Sequence, residues 1–134
     1  MTTHALGTFE VKLNPLILDE KAGDKTLGRM SIDKQFHGDL AAISKGEMLT
    51  AVTGTPGSAG YVAIERVDGS LHGRRGTFVL QHNGIMTRDA AQLTIVVVPD
   101  SGTGQLTGLA GSMAIKIDGG QHLYDFEYTF AGPV

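Results

Sequence analysis

In the segment YVAIERV, Glu65 shares one face of an alternating strand with Tyr61, Ala63 and Val67, while Arg66 shares the other with Val62 and Ile64. If the Glu65 face lines a core, apolar neighbours disfavour the ionised carboxylate and raise its pKa toward neutrality, where it suits general acid or base work. If that face is outside, Glu65 is a solvated residue paired with a lysine or arginine. His82, in FVLQH, is a second candidate acid or base, or a strand-end histidine bonded to a backbone carbonyl. The turn between the two strands decides their partners. A turn at His72-Gly73-Arg74 sets Leu71 opposite Arg75, Glu65 beside Gln81 as a polar pair, and Ile64 beside His82; a turn at Asp68-Gly69 pairs Glu65 with His72 at the rim. Tyr61, Tyr124 and Tyr128 each join a buriable ring to a hydroxyl that could orient a carbonyl or phenol, and Phe126 lies on one face with the last two.

Other chemistries are excluded by residue type and spacing. The chain has no cysteine, which removes disulfides, thiolate nucleophiles and cysteine-ligated metals. His4, His37, His72, His82 and His122 stand singly without HxH or HExxH spacing, so no metal site is expected. Gly102, Gly104 and Gly108 miss the dinucleotide fingerprint by one residue, and neither Ser58 nor Ser112 sits in a nucleophile elbow. No cofactor is indicated. A net charge of -3 with interspersed signs gives no reason to expect nucleic acid or a membrane surface. The N-terminal residues carry no basic stretch followed by an apolar core, so a cytoplasmic location is expected.

The elements that must position these residues are strands. With 134 residues, 41% hydrophobic and 19% charged, the chain suits a single domain with its own core. Nineteen glycines punctuate short β-branched and aromatic runs, giving segments at 6–13, 26–37, 40–53, 59–68, 75–83, 92–99, 111–118 and 121–130. The window from Asn14 to Asp24 is limited by Pro15 and Gly23 to a turn of helix or a loop. A G-x-L-x-G-x-x-G pattern at Gly69, Leu71, Gly73 and Gly76 recurs at Gly104, Leu106, Gly108 and Gly111, which predicts two similar hairpins. His122, Tyr124, Phe126, Tyr128 and Phe130 give the last strand an aromatic face. An even number of antiparallel strands without a covering helix hides its edges best by closing into a barrel. In TIVVV both strand faces are apolar, so the face of Leu93, Ile95 and Val97 is expected outside, as a surface for homo-oligomerisation.

The strings GYVAIERV, FVLQH and VVPDSGTG, with the ending HLYDFEYTF, resemble a bacterial domain-of-unknown-function family with the allene oxide cyclase-like barrel fold. The resemblance runs from about Gly46 onward and implies an eight-stranded antiparallel barrel, without carrying an established reaction. Relatives by fold bind apolar or phenolic intermediates inside the barrel and steer their cyclisation or coupling. The resulting expectation is a cofactor-independent barrel that holds or acts on an apolar or phenolic ligand, as an isomerase or cyclase moving a proton through Glu65. The competing expectation is a non-catalytic ligand-binding or structural oligomeric module. An enclosed void lined by Glu65, Gln81 and Tyr124 would mark the first; a filled interior would mark the second.

Overall fold

Runs of β-branched and aromatic residues, each ended by glycine or a polar turn, pair with their sequence neighbours because short hairpins bring them together at little entropic cost. The structure, a computed structural model, describes residues 2–17, 26–88 and 90–131. The strands are β1 (Thr3–Leu16), β2 (Leu27–Gly38), β3 (Leu40–Val52), β4 (Ala59–Leu71), β5 (Arg74–Thr87), β6 (Ala90–Val97), β7 (Leu109–Asp118) and β8 (Gln121–Phe130). Each pairs antiparallel with the next and β8 pairs with β1, so the sheet closes into the eight-stranded barrel expected from the sequence. The 14–24 window begins inside β1, and its part from residue 18 to 24 lies outside the described residues. Among the described residues, no helix is long and apolar enough to cross a membrane.

The two ends of the barrel differ. At one end the inward residues Ala5, Leu40, Leu71, Phe78 and Leu109 are buried, and Leu106, from a 3-10 turn at Gly104–Leu106, seals the opening with no solvent exposure. Above this plug Phe78 stacks on Phe126 at 5.7 Å and Phe36 meets Tyr124 edge-on at 5.7 Å. At the other end, the inward series of the strands run out into solvent: Leu13, Met86, Leu93 and Ile117 are exposed, while Met30, Met48 and Tyr61 are half-buried. Among the described residues the barrel is therefore a cup with an apolar mouth.

Two sequence expectations change here. The second glycine pattern is no hairpin, because Gly104 to Leu106 curls into the 3-10 turn and β6 meets β7 through the Val96–Ser112 pairing. The two copies instead pack together, since a Cβ on Gly76 would lie 3.2 Å from Leu106 Cγ and one on Gly104 3.0 Å from the Arg75 carbonyl oxygen. The face of Leu93, Ile95 and Val97 is interior, with Ile95 and Val97 buried, and Thr94 and Val96 point outward. Both faces of that strand are apolar, so alternation alone could not choose between them.

Candidate functional site

Glu65 is the inward residue at the middle of β4 and has no solvent exposure. Gly46 lies opposite it on β3, where a Cβ would come within 2.6 Å of the Glu65 Cα, so only glycine fits that close approach. Three neighbouring strands supply donors to the carboxylate. The Lys34 ammonium on β2 and His82 Nε2 on β5 reach Oε1 at 2.9 and 2.7 Å, and the Ser44 hydroxyl on β3 donates to Oε2 at 2.6 Å. Lys34 is itself buried and rests its charge over the Phe9 ring, 5.0 Å from the centroid.

This cluster corrects the expected pKa. Burial does push the Glu65 carboxyl up, but the His82 hydrogen bond, the Lys34 charge and the Ser44 hydrogen bond outweigh it and hold the group down at about 2. Glu65 is thus an ionised anchor at neutral pH, in place of the proton shuttle that its apolar strand neighbours suggest. A carboxyl lowered from 4.5 to about 2 on folding stabilises the native state above its unfolded pKa and loses that contribution as pH falls through the folded value. Denaturation followed from pH 5 to pH 2 should show about 3 kcal/mol lost through this group, and Glu65→Gln should flatten that part of the profile.

The register also differs. The turn is the two-residue pair His72-Gly73, with φ of +47° and +81°, so Leu71 faces Arg74 and Glu65 faces Leu80. That single-residue change puts His82 opposite Ala63, on the same inner face as Glu65, and turns Gln81 to the outer surface. The Glu65–Gln81 pair is therefore not formed, and neither is the expected void between Glu65, Gln81 and Tyr124. Lys34, Ser44 and His82 occupy the space around the carboxylate.

Because Glu65 is ionised, His82 donates from Nε2 to it, and in the neutral imidazole the unshared pair then lies on Nδ1. Nδ1 has no partner among the described residues, and although it is not a buried unpaired atom the His82 side chain is only 4% exposed, so it reaches the mouth by its edge alone. The Tyr61 hydroxyl likewise has no hydrogen-bond partner among the described residues, and its ring centroid lies 6.2 Å from that of His82. Burial, and secondarily the Glu65 charge, raise the Tyr61 phenol above its ordinary pKa, so it stays a donor at neutral pH.

The remaining candidates sit toward the sealed end. Phe126 is fully buried in the aromatic stack, and the Tyr128 hydroxyl bonds His72 Nδ1. The Tyr124 hydroxyl accepts from the Leu40 amide at 2.9 Å and donates to the His37 carbonyl at 2.8 Å, which pins the β2–β3 turn. Tyr124→Phe should cost about 1–3 kcal/mol in a denaturant titration, because it strands those backbone groups. Lys34 and Ser44 were not among the candidates. The available signal was Lys34 at the centre of Ile32-x-Lys34-x-Phe36, an alternation whose apolar flanks point inward.

An antiparallel barrel sealed at one end, with an ionised carboxylate–imidazole pair facing an apolar open end, is the class of protein that this geometry defines. The chain belongs to the DUF3224 family, described as a protein of unknown function, whose model matches residues 5–128. A solved structure of a protein with unknown function from the same family, from Shewanella oneidensis MR-1, is similar to it. The two share 52% identity and a TM-score of 0.94, over 99% of this chain and 100% of that one. A search of the curated proteins finds no match.

Proposed function

We propose that the barrel holds a small, largely apolar or phenolic molecule at its mouth, against the free edge of the His82 ring, without a cofactor. The observation that carries this reading is an apolar end, with Leu13, Met86, Leu93 and Ile117 exposed, near two polar atoms that have no hydrogen-bond partner among the described residues, His82 Nδ1 and the Tyr61 hydroxyl. Polar groups placed singly in an apolar concavity are what orients a ligand there. Half-buried Met30 and Met48 give the rim side chains that adapt in shape. In this reading Glu65 is a positioning residue, fixing the imidazole tautomer as carboxylates do beside histidine bases, and His82 is the group that accepts a proton. That supports an isomerase- or cyclase-like proton transfer at Nδ1.

The space around Glu65 is filled by Lys34, Ser44 and His82, the mark set above for a second reading, in which the charged cluster only fixes the fold and the chain is a non-catalytic module. Native mass spectrometry of the full chain, with nitrogen NMR of the His82 ring, separates the two. Under the first reading a compound is retained, and stripping it moves the Nδ1 resonance while Nε2 stays protonated. An empty barrel whose Nδ1 resonance ignores a panel of apolar ketones and phenols would leave the second.

A further inference from the structure

We infer that the mouth takes neutral carbonyl compounds bearing a hydrogen on the carbon next to the carbonyl, and that Tyr61 receives the carbonyl oxygen. The inference rests on the mouth-binding reading above and names its substrate class.

Tyr61 and His82 occupy successive inward positions on paired strands, Tyr61 opposite Gly84 and Ala63 opposite His82. A Cβ on Gly84 would lie 2.3 Å from Tyr61 Cε1, so the missing side chain is what lets the phenol ring lie across β5 beside the imidazole. These two groups, neither with a hydrogen-bond partner among the described residues, are complementary. One is an O–H donor, and the other is a basic nitrogen whose far side is clamped by a carboxylate. A carbonyl with an adjacent C–H presents the matching acceptor and proton. Lys34 and Glu65 neutralise one another beneath the pair, so the site offers no net charge to an ionic ligand.

The step balances without a co-reactant. The C–H bond beside the carbonyl breaks and its proton passes to His82 Nδ1. The bonding pair becomes a carbon–carbon double bond, and the carbonyl π pair moves onto the oxygen, which the Tyr61 hydroxyl stabilises by hydrogen bonding. Glu65 stabilises the imidazolium formed. The proton then returns to the oxygen or to a carbon further along the conjugated system, giving an enol or a shifted double bond with composition and charge unchanged.

Cyclohexanone in deuterated buffer is the probe, added to the full chain, with exchange of its α-hydrogens and the methyl resonances of Ile32, Met30 and Met48 followed together by NMR. Exchange is expected to run roughly a hundredfold faster than with an equal concentration of free imidazole. It should vanish in His82→Gln, and slow at least about tenfold in Tyr61→Phe while that variant keeps its melting temperature. Methyl shifts at the mouth without accelerated exchange, or with Tyr61→Phe as fast as the wild type, would overturn the carbonyl assignment and leave mouth binding standing. No methyl shift up to the solubility limit of the ketone would overturn mouth binding itself, and this inference with it.

Discussion

Replacing Glu65 with leucine is expected to lower stability by about 3–5 kcal/mol, the range for breaking a buried ion pair from one side. The cost arises less from the lost attraction than from what stays behind. Lys34 is 8% exposed and has Glu65 as its carboxylate partner at 2.9 Å, so without it an ammonium is stranded against the rings of Phe9 and Phe36. The Ser44 hydroxyl and His82 Nε2 lose their acceptor in the same step. For a chain of this size the loss corresponds to roughly 10–20 °C in melting temperature. A double variant with Lys34→Met and Glu65→Leu removes the charge along with its partner, and it should recover about 2 kcal/mol or more relative to Glu65→Leu alone. Calorimetry on the pair of variants checks this. A double variant no more stable than the single one would mean that Lys34 escapes to solvent and that the cluster is not closed.

The comparison also bears on function. If the double variant folds well, the charged cluster is dispensable for the barrel, and its presence is then explained by the imidazole that it orients. Buried ionic groups are weak evidence of stability, since well-packed apolar residues of similar volume do as well or better.

What could be seen in the sequence, and what could not, follows from how each feature is encoded. All eight strands are legible because alternation and turn residues are local signals, and closure follows from their even number and the absence of a covering helix. The aromatic face of β8 is legible for the same reason. Glu65 and His82 can both be named as candidates, yet their meeting cannot, because it depends on whether one residue belongs to a turn. His72 adopts φ +47°, which only a few per cent of non-glycine residues do, so the two-residue turn leaves little trace in the residue types. The resulting slip by one carries His82 across the sheet. The pKa of Glu65 is hidden for a related reason. Its apolar neighbours along β4 are visible, whereas Lys34, Ser44 and His82 stand across strands, and a lysine is ordinarily placed outside.

Leu106→Ala is expected to cost about 2–5 kcal/mol, as for deletion of a fully buried leucine, although Leu106 belongs to the connection between β6 and β7 and not to any strand. The turn is built to deliver it. Gly102 and Gly76 leave no room for a Cβ beside the loop backbone, the Thr103 hydroxyl receives the Thr77 amide at 3.0 Å, and the Leu106 amide bonds the Thr103 carbonyl at 2.9 Å. The loop is thereby fastened to β5, and its one buried side chain drops into the barrel end. Residues of the mouth should respond differently. Ile117 is 68% exposed, so Ile117→Ala should stay within about 0.5 kcal/mol, because little apolar area returns to water and no cavity is left. Parallel denaturant titrations of the two variants test the asymmetry. Equal losses would mean that both ends are packed alike, leaving no open mouth for His82 and Tyr61 to face. A large loss at Leu106 with none at Ile117 is the signature of a cup packed at one end and open at the other.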